Sequence, residues 1–217
     1  MNPRTASPED QYTAEPFVPG GADLPALREA AAGCRGCPLH RDATQTVFGA
    51  GNPHGRVMLV GEQPGDQEDR KGRPFVGPAG KLLDRALAEA GIDPAEAYLT
   101  NAVKHFKFTQ AEPRKRRIHK APTLREMTAC GPWLAAELAL VEPELIVVLG
   151  ATAGKALLGS SFRVTEVRGT VLETEIHGRP ERLVPTVHPS AVLRADDREG
   201  AYRGLVSDLK TAAQALA

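Results

Sequence analysis

The stretch Val57-Met58-Leu59-Val60-Gly61-Glu62-Gln63-Pro64-Gly65 decides how this chain is read. Four apolar residues run without polar alternation and stop at a glycine, the pattern of a short strand buried on both faces. The residues that follow, 62–80, are rich in Gly and Pro and read as a loop that opens with a carboxylate. The pattern recurs at 98–103, at 145–149 (ending in Gly150) and at 183–187, which runs into His188-Pro189-Ser190. Helical spacing lies between these runs, at 24–32, 79–90, 123–140, 151–158 and 198–215. Thr123 with Glu126 three residues on makes a capping box at the start of the clearest helix. A hairpin-like region surrounds Val171 and Ile176. Strand alternating with helix predicts an α/β fold around a central, mostly parallel four-stranded sheet. Ligands of such sheets sit at the carboxyl ends of the strands. That rule brings Glu62, Asn101, Gly150 and His188 together.

Composition sets the bounds. At 217 residues, one sizeable core is expected. The apolar share of 41% and charged share of 25% belong to an ordinary globular protein. No apolar run approaches the roughly 20 residues that span a bilayer, so no membrane association is expected. Residues 1–21 are polar and Pro-rich with no apolar h-region, and read as a disordered tail ahead of a single domain at 22–217. A cytoplasmic location follows as an expectation, and nothing in the sequence points beyond a monomer. Stable disulfides are then unexpected, and Cys34, Cys37 and Cys130 need another explanation.

Cys34-x-x-Cys37 at a helix end has metal-ligand spacing, although redox or incidental roles share it. Cys130 adds a third soft ligand, which favours an iron–sulfur cluster or zinc. His105 is the best candidate for a fourth ligand, against the plainer reading of a strand-end histidine with ordinary hydrogen bonds. Glu62 fits a general base or a group that stabilises a developing cation, and Gln63 beside it fits an amide edge. Phe75, framed by Gly and Pro, suits stacking on a flat ring or plugging a core. Asn101 offers both a donor and an acceptor. Together these residues describe a pocket for a planar polar base.

The basic loop Arg114-Lys115-Arg116-Arg117-Ile118-His119-Lys120 stands out because the whole chain has zero formal net charge. Five of these seven residues are Lys or Arg, as in a phosphate-facing loop. Such runs are usually solvated surface or nucleic-acid grip, which leaves the role of His119 open.

Several ordered motifs carry a family resemblance: Gly61-Glu62-x-Pro64-Gly65, Gly72-x-Pro74-Phe75-Val76-Gly77-x-Ala79-Gly80, Thr100-Asn101-x-Val103-Lys104, Cys130 and His188-Pro189-Ser190. In this combination, over about residues 25–215, the chain resembles the uracil-DNA glycosylase superfamily, and within it the iron–sulfur family 4 enzymes. Family 4 has a cysteine where this chain has His105, and its spacing to the last cysteine is shorter by the basic loop. Glu62-Gln63 with Lys115-Arg116-Arg117-Ile118-His119 resembles the UdgX-type group, known for covalent attachment to uracil-containing DNA.

The resemblance implies a three-layer αβα fold with the basic loop inserted at about 109–122. It implies base flipping, with Phe75 stacking on uracil and Asn101 and Gln63 bonding its edge. His188 would stabilise the departing base. His119 would capture C1′ as nucleophile in a single turnover, with Glu62 orienting it. Lys115, Arg116, Arg117, Lys120 and Ser190 would contact DNA. Cys34, Cys37, His105 and Cys130 would hold a [4Fe-4S] cluster. The alternatives are a conventional multiple-turnover glycosylase, in which His119 only touches phosphate, and a non-catalytic iron–sulfur nucleic-acid-binding module.

Overall fold

The computed structural model describes residues 12–112 and 115–217. The start of the expected tail (1–11) and Arg114 of the basic loop lie outside the described residues. In chain order the elements are α1 (Leu24–Ala32), β1 (Ala50–Gly51), β2 (Val57–Gly61), α2 (Asp66–Lys71), α3 (Pro78–Ala90), β3 (Ala97–Asn101), β4 (Phe108–Thr109), β5 (Ile118–His119), α4 (Leu124–Val141), β6 (Leu145–Leu149), α5 (Gly150–Leu158), α6 (Val164–Val167), β7 (Leu172–Ile176), β8 (Arg179–Thr186), α7 (Pro189–Arg194) and α8 (Arg198–Leu216).

The main sheet has six strands in the order β1-β3-β2-β6-β8-β7. The four expected strands are its parallel centre, with β2 between β3 and β6 and β6 beside β8. The four-stranded reading is extended at both edges: β1 pairs antiparallel with β3, and β7 pairs antiparallel with β8 as the hairpin expected around Val171 and Ile176. The two-residue β1 is too short to give a periodicity signal. The residues of β7 alternate between more and less exposed, as expected at an edge.

Strand alternation divides the core into two layers. Met58, Val60, Tyr98, Ile146 and Val148 pack with Leu27 of α1 and with Cys130, Trp133 and Leu134 of α4. Val57, Leu59, Leu145, Val147 and Val184 point the other way, against α3 and α8. Successive side chains leave opposite faces of a strand, so a sheet covered on both sides must be apolar at every position. This is the three-layer αβα arrangement. The chain runs from β2 to β3 on one side and later returns to β6 on the other. That reversal opens a crevice at the carboxyl ends of the strands.

Three local features differ from the sequence reading. Within the expected loop 62–80, residues 66–71 form α2, whose sequence DQEDRK has no apolar face to signal it. Acidic residues in its first turn and basic ones in its last suit the helix dipole instead. His188-Pro189-Ser190 is the start of α7, with His188 as its N-cap. Part of the expected tail is packed: Ala14 is buried, with Tyr12, Phe17 and Val18 partly buried against the core, and its N–H donates to the Ala129 carbonyl of α4 at 2.7 Å. The Arg125 guanidinium lies 4.0 Å from the Tyr12 ring centroid. A segment held by so few apolar contacts has the composition of a solvated one. The Thr123–Glu126 capping box forms as expected. No described helix is long and apolar enough to cross a membrane.

Candidate active site

Glu62, Gln63, Phe75, Asn101, His119 and His188 line one cavity of about 460 Å³, together with Ser190 and Arg194. Such a volume accommodates a flat heterocycle. Strand register supplies the first pair: Gly61 lies opposite Asn101, so Glu62 and Asn101 emerge side by side. Gly61 has no room for a side chain, because a Cβ would collide with Asn101 Oδ1 and stand 2.7 Å from Phe75 Cζ. Phe75 adopts φ 55°, a left-handed backbone that a non-glycine residue holds only under constraint. Glu68 supplies part of that constraint by accepting the Gly77 N–H at 2.6 Å. The Phe75 ring lies 26° from the plane of the His188 imidazole, with centroids 6.4 Å apart.

His188 Nδ1 accepts the Ser190 N–H at 3.1 Å, and this hydrogen-bond network assigns the ring proton to Nε2. The Ser190 hydroxyl is also committed to Nδ1, at 2.8 Å. Burial pushes the His188 pKa down to about 4, so the ring is a neutral donor at physiological pH. Glu62 has the opposite chemistry. Burial raises its pKa, but the His119 and Thr152 side chains and the His188 imidazole outweigh burial and hold the carboxyl below the usual carboxylate range. Its Oε1 is buried with no hydrogen-bond partner among the described residues, although His119 Nε2 stands 3.2 Å away. A buried carboxylate oxygen left without a hydrogen bond is costly and marks a place for a ligand or a reacting group.

The inserted basic stretch is not a free loop. Strands β4 and β5 pair antiparallel, with Phe108 opposite His119, and fold it over the cavity. Gln63 clamps the hairpin: its Oε1 accepts the Lys107 N–H at 3.0 Å, and its Nε2, with two N–H groups, lies 2.9 Å from the Lys120 carbonyl, 3.2 Å from the Lys107 carbonyl and 2.8 Å from His119 Nε2. The amide expected to read uracil is thus engaged with the hairpin. His119 Nε2 thus stands between the Gln63 amide nitrogen at 2.8 Å and Glu62 Oε1 at 3.2 Å, and it accepts from the first or donates to the second according to its tautomer.

Arg117 also departs from the expected DNA grip. Its side chain is only 8% exposed; it pairs with Asp66 and, at 2.6 Å, with the fully buried Asp69. Its guanidinium stacks 5.2 Å and 4.8 Å from the centroids of Phe106 and Phe108. Lys115 is exposed and pairs with Glu112, and Arg116 and Lys120 are exposed as well. Sequence reasoning missed Asp66 and Asp69, whose signal was an acidic run complementary in charge to the basic loop. It also missed Thr152 and Arg194, which nothing in the sequence marked.

Cys34, Cys37 and Cys130 are free and buried, and His105 is buried with them. A cavity of about 260 Å³ is lined by Cys34, His40, Thr46 and His105, among others. Cys34 Sγ accepts the Trp133 indole N–H and Cys130 Sγ accepts the Lys104 N–H, each at 3.3 Å. Burial pushes the Cys130 thiol up to about 12 and raises Cys37 too, so thiolates here need a cation beside them. Burial holds His105 at about 4, as a neutral imidazole. Thr46 Oγ1 donates to the Ala31 carbonyl at 2.8 Å and therefore accepts from His105 Nε2 at 2.9 Å, which leaves the lone pair on Nδ1. Among the described residues no three such side chains converge on a single-ion site. Three buried sulfurs and a neutral imidazole are the soft donors that an iron–sulfur cluster would take.

A base-sized pocket at the carboxyl end of a parallel αβα sheet, with a carboxylate and a neutral imidazole on its walls, defines the class. The chain belongs to the uracil-DNA glycosylase superfamily, whose profile matches residues 48–210. That span takes in the whole pocket, His105 and Cys130 but begins after Cys34 and Cys37. Within the superfamily the chain is similar to type-4 uracil-DNA glycosylases. The one from Thermotoga maritima is 41% identical over 167 residues, covering 76% of this chain and 81% of the relative. The one from Pyrobaculum aerophilum is 37% identical over 185 residues, covering 83% and 90%. A type-5 uracil-DNA glycosylase from Thermus thermophilus is 37% identical over 127 residues, covering about half of each chain.

Proposed function

We propose that the protein excises uracil from DNA. The observation that carries this reading is the buried Glu62 carboxylate, its Oε1 without a hydrogen bond, in a base-sized cavity opposite a neutral His188 donor. A base must leave the stack to reach such a cavity. Phe75 then stacks on it and Asn101 bonds its amide–imide edge. As the C1′–N1 bond breaks, its electron pair goes to uracil, and His188 Nε2–H donates to the oxygen where negative charge builds. Glu62 faces the positive charge left on the sugar. Exposed Lys115, Arg116 and Lys120 face the phosphates.

Two fates are open to the cationic C1′. In the first, Glu62 directs a water to it, abasic DNA leaves, and the protein turns over. The similarity to type-4 enzymes backs this reading better. The second is specific to the hairpin. His119 Nε2 lies in the cavity, 3.2 Å from Glu62 and 2.8 Å from the Gln63 amide, and in the tautomer with the proton on Nδ1 it is a nucleophile once Gln63 releases it. Attack on C1′ forms an N–C bond, the Nδ1 proton leaves the resulting imidazolium, and the protein stays attached. Proximity favours a held imidazole over water. This is the UdgX-type behaviour, and the placement of His119 supports it.

Cys34, Cys37, His105 and Cys130 would hold a [4Fe-4S] cluster, with His105 binding through Nδ1. When bound, it supplies a crosslink between the N-terminal segment, the start of the hairpin and α4. One experiment separates the readings: uracil-containing oligonucleotide is incubated with excess protein, and both free uracil and denaturation-resistant adduct are measured. Uracil with adduct supports capture by His119, and uracil with free abasic DNA supports hydrolysis. Neither product would leave only a binding module.

A further inference from the structure

The core between the cysteine site and the pocket contains an ion pair that the chemistry above does not use. Lys104 and Glu137 have side chains 1% and 0% exposed and meet at 2.5 Å. Glu137 also accepts from the Gly49 N–H, the Tyr98 hydroxyl and the Thr100 hydroxyl. The Lys104 ammonium spends its other two donors on Thr100 Oγ1 and on the carbonyl oxygen of Asn101, both at 2.7 Å. Stability does not account for this arrangement, since apolar residues of the same volume stabilise a core at least as well as a buried ion pair. What the pair adds is direction, because three fixed bonds from one ammonium hold the strand end from which the Asn101 side chain projects.

We propose that Lys104 is a positioning residue that fixes Asn101 for uracil and against cytosine; the inference rests on the reading of the pocket as a uracil site. The Asn101 side chain makes no hydrogen bond to the described residues, and Gly61 gives it a bare floor. Its amide presents an acceptor and a donor, and uracil offers the complementary N3–H and O4. Cytosine offers an acceptor at N3 and a donor at N4, so an Asn101 free to shift and turn over accommodates either base. The amide itself is restrained only by its close packing over Gly61, so the room it has to turn over depends on how firmly its backbone is held against that glycine. Lys104 is the side chain that holds it, and Glu137 anchors Lys104 to α4 through Thr100, Tyr98 and Gly49.

The test uses full-length, iron-loaded protein in excess over single-stranded oligonucleotides carrying one uracil, with free uracil and free cytosine as competitors. The double variant Lys104→Met with Glu137→Gln neutralises the pair without stranding a charge. The expected result is a melting temperature and cluster absorbance close to those of the parent, uracil release slowed about tenfold, and a preference for uracil over cytosine reduced by a similar factor. Thr100→Val, which removes one Lys104 acceptor and leaves the charges, is expected to reduce the preference about threefold. A folded double variant with the parent's rate and preference overturns the proposal. If that variant does not fold, an unchanged preference in Thr100→Val overturns it. Absence of uracil release from the parent protein would instead refute the uracil reading itself.

Discussion

On the capture reading, replacing Arg117 with alanine should separate base excision from capture. The substitution leaves Asp69, whose side chain is fully buried, without its cation. Breaking a buried pair in this way costs about 3–5 kcal/mol. The low end applies, because Asp69 keeps the Thr44 N–H at 3.0 Å and 3.2 Å to its two oxygens. The bond to Asp66 adds less than ~1 kcal/mol, since that side chain is 40% exposed. Stacking on Phe106 and Phe108 adds ~0.5–1 kcal/mol each. A loss of about 3 kcal/mol is then a conservative figure. It falls on the hairpin more than on the fold, because β4 and β5 are two residues each and outside the main sheet. At ~1.4 kcal/mol per decade, the closed-to-open ratio drops about a hundredfold. Under single-turnover conditions Arg117→Ala should release uracil within a fewfold of the parent rate, since Phe75, Asn101 and His188 are untouched. Adduct should form far more slowly, and hydrogen exchange at 108–119 should quicken. Asp66→Asn should have a small effect. Parent-like adduct formation and parent-like exchange in Arg117→Ala would refute the role of Arg117 in holding the hairpin closed.

His119→Ser should abolish the denaturation-resistant adduct and give free abasic DNA, because water then reaches C1′; an unchanged adduct on a denaturing gel would remove His119 from the chemistry. Gly61→Ala sets a methyl group against Asn101 and the Phe75 ring, and should weaken inhibition by free uracil at least tenfold while the fold persists. For pH, the sign follows from His188, whose pKa falls from 6.5 in the unfolded chain to about 4 in the fold. Between these values the unfolded chain binds the extra proton, so stability is unaffected above pH ~6.5 and is lost as pH falls toward ~4. Uracil release should fail in the same direction, as His188 takes up a proton while Glu62, held below the usual carboxylate range, stays ionised longer; thermal melts and single-turnover rates from pH 4 to 8 check both.

The parallel centre of the sheet was legible because strands covered on both faces are continuous apolar runs, and 57–61 and 145–149 could be little else. Its edges were less so: β7 showed only as a hairpin-like region around Val171 and Ile176, and β1 is too short to carry a pattern. Glu62, Asn101 and His188 were legible as a group because each follows a strand whose carboxyl end faces the same crevice. Gln63 and Arg117 were read by residue type alone, as a base reader and a phosphate contact. Both turn inward to hold the hairpin, and their partners, Asp66, Asp69 and the Lys107 and Lys120 backbones, are set by tertiary packing. The Lys104–Glu137 pair had no sequence signature either, since its members lie 33 residues apart and meet only because α4 packs on β3.

The most direct test of the account is mass spectrometry of the products after excess protein meets an oligonucleotide with a single uracil. Both fates of C1′ predict free uracil equal to the oligonucleotide consumed, and capture predicts in addition a hairpin peptide whose mass is raised by the deoxyribose fragment at His119. Free uracil with unmodified peptide and abasic DNA would contradict capture and leave the hydrolytic reading. An oligonucleotide that keeps its uracil would contradict the account at its centre.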